Sequence, residues 1–258
     1  MKIMGILNIT PDSFSDGGEF LDVDKAVRRA VEMKKSGADI IDIGGESTRP
    51  GATPVTLEEE LARVVPVIKK IREVSNIPIS IDTYKAEVAV AAVAAGAGMI
   101  NDVWAGRKDP RMLKTMAQLG VPVILMHNRK KDEENNQIHD IVAEVSSELQ
   151  ETIQNALDAG IKKENIILDP GIGFGKTLDQ NIELIKNIGK LKEIGYPIML
   201  AASKKRTIRN LSKSDDMDMI AIGTIATTCH AYINGIDFVR VHDVKENKTA
   251  VDVMHGLN

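Results

Sequence analysis

A chain of 258 residues, 43% hydrophobic and 27% charged, can bury one sizeable core and has the balance of an ordinary globular protein. Its net charge of −4 excludes a general attraction to nucleic acid or anionic membrane, and no apolar run reaches the length of a bilayer span. Cys229 is the only cysteine, which excludes an intrachain disulfide and a cysteine-cluster metal site.

Residues 1–7 are too short for a signal-peptide core and no cleavage site follows them, so the expected setting is the reducing cytoplasm. An apolar run over 3–7 ends at Asn8 and opens into Thr10-Pro11-Asp12-Ser13-Phe14-Ser15-Asp16-Gly17-Gly18. Turn chemistry accounts for the Gly and Asp residues. It does not require Phe14 among serines and aspartates, which reads as a strand delivering a ligand-binding loop.

Helical periodicity recurs over 24–35, 57–74 and 135–159. Six predicted helices end at or near a glycine, Gly37, Gly96, Gly120, Gly160, Gly195 or Gly235. Each is followed by a β-rich run: 38–43, 97–101, 121–126, 166–168, 197–200 and 236–241. Glycine is favoured just past a helix because it enters the left-handed region without a Cβ clash. Asn76, the next-best residue for that conformation, precedes the run 77–82. With 3–7 this gives eight strands, nearly continuous in Val, Ile, Leu and Met, as expected when both faces of a sheet are covered. Eight strands alternating with helices predict an α/β fold, a (β/α)8 TIM barrel occupying 1–258 as a single domain. A doubly wound open sheet is the alternative, but the Gly-x-Gly-x-x-Gly fingerprint is absent after the first strand.

Barrel enzymes place their chemistry at the carboxyl ends of the strands. In order, those ends supply Asn8; Asp42 with Gly44-Gly45-Glu46-Ser47-Thr48-Arg49-Pro50-Gly51; Asp82; and Asn101-Asp102. They continue with His127-Asn128; Asp169-Pro170-Gly171-Ile172-Gly173-Phe174-Gly175; Ser203-Lys204-Lys205-Arg206; and Arg240 with His242-Asp243. The last two ends form the usual phosphate corner of such a barrel, here with Lys205, Arg206, Arg240 and His242. Lys204 reads better as a salt-bridge partner. Alternation puts Phe238, Arg240 and His242 on one face, where the Arg240 cation needs an anion. A bound phosphate would serve, and so would an internal carboxylate such as Asp169 or Asp82. Asp82, Asn101 and Asp169 could grip a flat heterocycle with several N–H donors, although Asp82 could equally cap the helix that follows it. Phe14 and Phe174, two of only four Phe, sit in strand-end loops and suit contact with a flat substrate. His139, His230 and His255 have no metal-ligand spacing and read as structural.

The segments 8–18, 42–51, 169–175 and 240–244 together resemble the signature segments of the dihydropteroate synthase family of pterin-binding enzymes. The resemblance runs from residue 1 to about 245. It implies a (β/α)8 barrel that joins 6-hydroxymethyl-7,8-dihydropterin pyrophosphate to 4-aminobenzoate, giving 7,8-dihydropteroate and pyrophosphate in folate biosynthesis. It also implies a requirement for magnesium (Mg2+) and competition by sulfonamides. By position, Asp82, Asn101, Asp169 and Lys205 match the residues that hold the pterin. Asn8, Thr48, Arg240 and His242 match those that hold the pyrophosphate, with Asn8 also at the metal. Phe14, Thr48, Arg49, Pro50, Phe174, Lys205 and Arg206 would line the aminobenzoate pocket. Asp82, Lys205, Asp169, Arg240 and His242 are the expected catalytic set, on an SN1-like path through a pterin cation.

Many members of the family have Ser where this chain has Arg206 and Arg where it has Lys204, which leaves open how the aminobenzoate carboxylate is met. Two other readings share the pterin site: a pterin-binding methyltransferase barrel, which needs no phosphate corner, and a silent pterin-binding paralogue, which would be expected to lose Asn8, Arg49 or Lys205. The stretch 217–233 has too few polar positions for a water-exposed helix and predicts a homodimer built on it.

Overall fold

The computed structural model describes residues 1–9, 19–47, 53–129 and 140–257. Phe14, Thr48, Arg49, Pro50 and His139 lie outside the described residues. Eight parallel strands run in chain order: β1 (Lys2–Asn8), β2 (Ile40–Gly44), β3 (Ile79–Asp82), β4 (Met99–Asp102), β5 (Val123–Met126), β6 (Ile166–Asp169), β7 (Met199–Leu200) and β8 (Phe238–Val241). Their lateral order, β6-β5-β4-β3-β2-β1-β8-β7, brings the last strand beside the first. The two outer strands meet through one bridge, Leu168 with Ile198, and the Leu168 N–H donates to the Pro197 carbonyl at 2.9 Å. The predicted barrel is therefore formed, with its thinnest seam between β6 and β7.

Around it stand α1 (Glu19–Lys35), α2 (Leu57–Val74), α3 (Ala86–Ala95), α4 (Met112–Leu119), α5 (Ile141–Asp158), α6 (Leu178–Lys186), α7 (Arg206–Ser212), α8 (Met217–Ile233) and α9 (Val244–Leu257). None of the described helices is long and apolar enough to cross a membrane. The period of two along each strand divides the apolar residues into two cores. Ile3, Leu7, Ile41, Ile43, Ile79, Ile81 and Ile100 point outward and pack with helical residues such as Val64, Ile68 and Ala89. Met4, Ile40, Ile124, Ile167, Met199 and Phe238 form a separate cluster and plug the base of the lumen. The same parity carries Asp42, Asp82, Asn101, Asp169 and Arg240 inward above that plug.

All six predicted glycines adopt positive φ. The residue after Gly37, Gly96, Gly160 or Gly235 donates its N–H back into the preceding helix, as Ala38 does to Met33 O and Ile236 to Ala231 O. These reciprocal caps keep the residue after the glycine tied to its helix. After Gly37, Gly96 and Gly235 the strands start two residues later than their apolar runs suggest, at Ile40, Met99 and Phe238, and β5 and β7 are shifted by the same amount, whereas β6 starts at Ile166 as expected. Asn76 is a correction: the non-glycine residues with positive φ among those described are Ala105, Lys204 and Lys213. The α2 end is an extended Ser75, and the Asn76 side chain instead accepts from Lys34 Nζ at 2.7 Å.

Candidate active site

The carboxyl ends of the strands converge on one charge network. Arg240, inward on β8, donates through Nε to Asp42 Oδ2 at 2.6 Å and through Nη2 to Asp82 Oδ2 at 2.7 Å. Asn101 Nδ2 donates to the same Asp42 oxygen at 3.0 Å. Of the internal carboxylates considered for Arg240, Asp82 is bonded to it, joined by Asp42. Sequence reasoning placed Asp42 at a strand end but gave it no role, though it is fully buried at the centre of the network. The available signal was a lone carboxylate in the otherwise apolar run Ile-Ile-Asp-Ile, which burial allows only against a cation.

Asp82 does not cap α3, whose N-cap position is Lys85 and whose Ala86 N–H is taken by Asp109 Oδ2 at 3.0 Å. The functional reading of Asp82 therefore loses its main competitor. Asp82 and Asp42 each keep a buried oxygen, Oδ1, without a hydrogen-bond partner among the described residues. Burial, opposed by the Arg240 charge and reinforced by Asp42, pushes the Asp82 carboxyl up to about 7. Arg240 itself stays charged: burial opposes its charge, but Asp42 and Asp82 outweigh that and raise its pKa.

At the end of β6, Asp169 Oδ1 accepts from the Gly171 N–H at 2.7 Å. Burial raises its carboxyl, with the Lys205 ammonium opposing. Lys205 donates to the Ile172 carbonyl at 2.6 Å and stands 4.7 Å from the centre of the Phe174 ring, a cation–π contact. Burial pulls its pKa down to about 8, with Asp169 holding it up. Gly171, at φ +68, admits no side chain, because a Cβ there would stand 1.8 Å from the His127 carbonyl oxygen. The segment after β6 thus lies directly on the end of β5.

At the phosphate corner, Ser203 Oγ and His242 Nδ1 share a hydrogen bond of 2.9 Å, and the His242 N–H donates to the same hydroxyl at 3.2 Å. Two of the five N–H donors of Arg240 are spent on carboxylates among the described residues, which leaves donors for an anion. Lys204 pairs with Asp243 at 2.8 Å, as its sequence context predicts. Arg206 is exposed at the first turn of α7. His127 is bonded through Nε2 to Glu148 at 2.7 Å, and burial lowers its pKa to about 4. It therefore reads as a neutral structural residue. His230 and His255 bond Ile185 O and the Tyr232 hydroxyl respectively, contacts of the kind a structural histidine makes.

Among the described residues, no group of three or more His, Cys, Asp or Glu gathers as a metal cage. Asn8 Oδ1 lies 3.7 Å, and Asp82 Oδ2 3.8 Å, from the point a Cβ would occupy on Gly44. An amide oxygen and a carboxylate thus flank one bare backbone position at the mouth. That donor set suits magnesium, which keeps several waters and takes most remaining ligands from substrate phosphates. It does not suit a metal that needs an all-protein cage.

The chain is similar to known proteins along nearly its whole length. A family model described as "Pterin binding enzyme" matches residues 4–242. A dihydropteroate synthase of Clostridium beijerinckii is 55% identical over 249 residues, covering 96% of this chain and 91% of that protein. The solved structure of the Clostridium difficile dihydropteroate synthase in the presence of pteroic acid superposes with a TM-score of 0.94 at 46% identity, covering 100% of this chain and 96% of that one. That of the Xanthomonas albilineans enzyme with 4-aminobenzoic acid gives 0.93 at 45% identity, covering 99% and 92%. Eight converging strand ends, the shared motifs and full-length similarity lead to one conclusion: the chain belongs to the dihydropteroate synthase family of pterin-binding enzymes.

Proposed function

We propose that this barrel, one domain over 1–258, condenses 6-hydroxymethyl-7,8-dihydropterin pyrophosphate with 4-aminobenzoate to 7,8-dihydropteroate and pyrophosphate, in the folate pathway. The observation that carries the reading is the buried Asp82 Oδ1 beside Arg240, which has no hydrogen-bond partner among the described residues. A buried acceptor without a donor is costly, and a pterin ring brings ring N–H and amino donors. Asp82, Asn101 and Asp169 would take these donors, and Lys205 would close over the ring from the Phe174 side. Arg240, His242 and Asn8 would face the pyrophosphate, together with Thr48 from outside the described residues.

Fixed charges that need no rearrangement at the moment of reaction are the main source of rate in such a site. Arg240 and His242 would meet the negative charge that develops as the C–O bond to pyrophosphate breaks. The carboxylates of Asp82 and Asp169 would favour the dihydropterin cation left behind, an SN1-like path. Magnesium, when bound beside Asn8, would supply further neutralisation of the departing pyrophosphate. The aminobenzoate amine is neutral at working pH, so it needs positioning rather than a strong base. Phe174, Lys205 and Arg206, with Phe14, Thr48, Arg49 and Pro50, would provide that positioning, and sulfonamides would compete there by their likeness to aminobenzoate.

Aminobenzoate should strongly accelerate pyrophosphate release from the dihydropterin substrate, with dihydropteroate formed in equal amount, and EDTA should suppress the release. Release that aminobenzoate does not accelerate, or none at all with magnesium, overturns the reading. A pterin methyltransferase or silent paralogue would give no pyrophosphate under any of these conditions.

We also propose a cytoplasmic homodimer built on α8. Ile220, Thr224, Thr228 and Ala231 turn inward, whereas Met217, Met219, Ile222 and Ile233 remain 50%, 46%, 57% and 71% exposed. Met219 and Ile222 continue into a groove of about 570 Å³ with Ile182, Ile185, Ile208 and Leu211. An apolar patch of this kind is usually covered in solution. Sedimentation at micromolar concentration should return twice the chain mass, and a monomer mass would refute the dimer.

A further inference from the structure

Lys176 stands outside every role assigned above, yet it is 7% exposed. Its hydrogen bonds among the described residues go to carbonyl oxygens, Gly171 O at 2.9 Å and Phe174 O at 3.1 Å. Burying an ammonium against neutral carbonyls is costly. Burial brings its pKa down to about 7, with Asp169 and Glu148 holding it up and Arg129 and Lys205 lowering it further. A methionine or leucine would fill the same space without that cost, so the charge calls for a function.

Its geometric effect is to curl the turn after β6 around one atom. From the other side, Asn181 on α6 accepts from the Gly173 N–H at 2.6 Å and donates to the carbonyls of Thr177 at 2.6 Å and Lys176 at 3.3 Å. The segment these two side chains hold includes Ile172 and Phe174, which supply two contacts of the Lys205 ammonium among the described residues: the Ile172 carbonyl at 2.6 Å and the Phe174 ring at 4.7 Å. A Cβ on Gly173 would stand in ordinary contact with Lys205 Cδ, at 3.4 Å, so the turn and the lysine stem lie against each other. Lys176 therefore contacts the two ends of the segment on which Lys205 rests.

We infer that Lys176 is a positioning residue: its ammonium ties the Gly171–Phe174 turn, and the turn in turn holds Lys205 over the substrate site. The inference rests on the pterin and aminobenzoate reading of that site. It separates an effect transmitted through Lys205 from a general contribution to folding, because only the former depends on Lys205 being present.

The test is a double-mutant cycle read by calorimetric binding of 7,8-dihydropteroate, which spans both substrate pockets and needs no turnover. In the otherwise native protein, Lys176→Met should weaken dihydropteroate binding about tenfold, and in a Lys205→Met background by less than about twofold. Lys176→Arg, which can still donate to both carbonyls, should stay within about threefold of native. Equal losses in the two backgrounds, or no loss in the native one, overturn the inference. If Lys176→Met does not fold, Lys176→Gln keeps a polar head and carries the same cycle. Failure of the native protein to bind dihydropteroate would instead overturn the functional reading, so the two failures are distinguishable.

Discussion

Arg240→Met should reduce turnover by about three orders of magnitude and destabilise the fold by about 3–5 kcal/mol. The first figure is the scale of losing a fixed charge aimed at developing negative charge. The second is the cost of removing one partner from a buried ion network and leaving the other charges behind. Here the orphans would be Asp42, fully buried, and Asp82, 7% exposed. The two effects can be separated by pH. The folded-state pKa of Asp82 already lies above its unfolded value, so the protonated carboxyl favours the folded state. Its contribution is therefore complete below about pH 4 and is lost as pH rises through about 7. Without Arg240 the carboxyl rises further, and the decline should extend above pH 7. Denaturant midpoints at pH 5 and pH 8 should show a larger mutational loss at pH 8. An equal loss at both would mean that the guanidinium does not hold the two carboxylates in the folded protein.

Asp82→Asn should lower kcat/KM by about two to three orders of magnitude while leaving size and packing intact. It removes an anion that faces both Arg240 and the proposed pterin, and it places a donor amide where acceptors are wanted. The pH profile is the sharper readout. In the native protein, affinity for the dihydropterin substrate should improve as pH rises through about 7, because Asp82 then sheds the proton that burial favours. The Asn variant should lack that step. Persistence of the step in Asp82→Asn would assign it to another group and remove Asp82 from the pterin contacts.

Much of this site was legible because two periodicities carry it. The period-two runs separate outward Ile41 and Ile43 from inward Asp42, and the same alternation places Phe238, Arg240 and His242 on one face. The glycines that end helices announce the strands that follow, which begin within four residues of Gly37, Gly96, Gly120, Gly195 and Gly235, and six after Gly160. The partner choice was not legible. Arg240 meets Asp42 and Asp82 across 198 and 158 residues of sequence, a pairing fixed by barrel closure and inter-strand register rather than by any local pattern. Asn76 failed for a complementary reason: a residue that tolerates the left-handed region does not adopt it when an extended Ser75 already ends the helix. Lys176 drew no notice because a lysine in a glycine-rich loop looks like a solvated charge until the loop is folded around it.

The seam between β6 and β7 has a consequence for how the molecule holds itself closed. β7 is two residues long, and its tie to β6 is the single bridge Leu168–Ile198. Asp169 ends one side of that seam and Lys205 follows the other. The proposed pterin would span both, so it would act as a suture across the least-stitched line of the barrel. Part of the binding free energy would then appear as resistance to local opening there. Substrate, in this view, is the ninth element that finishes the cylinder, and the protein is most completely itself when it is occupied.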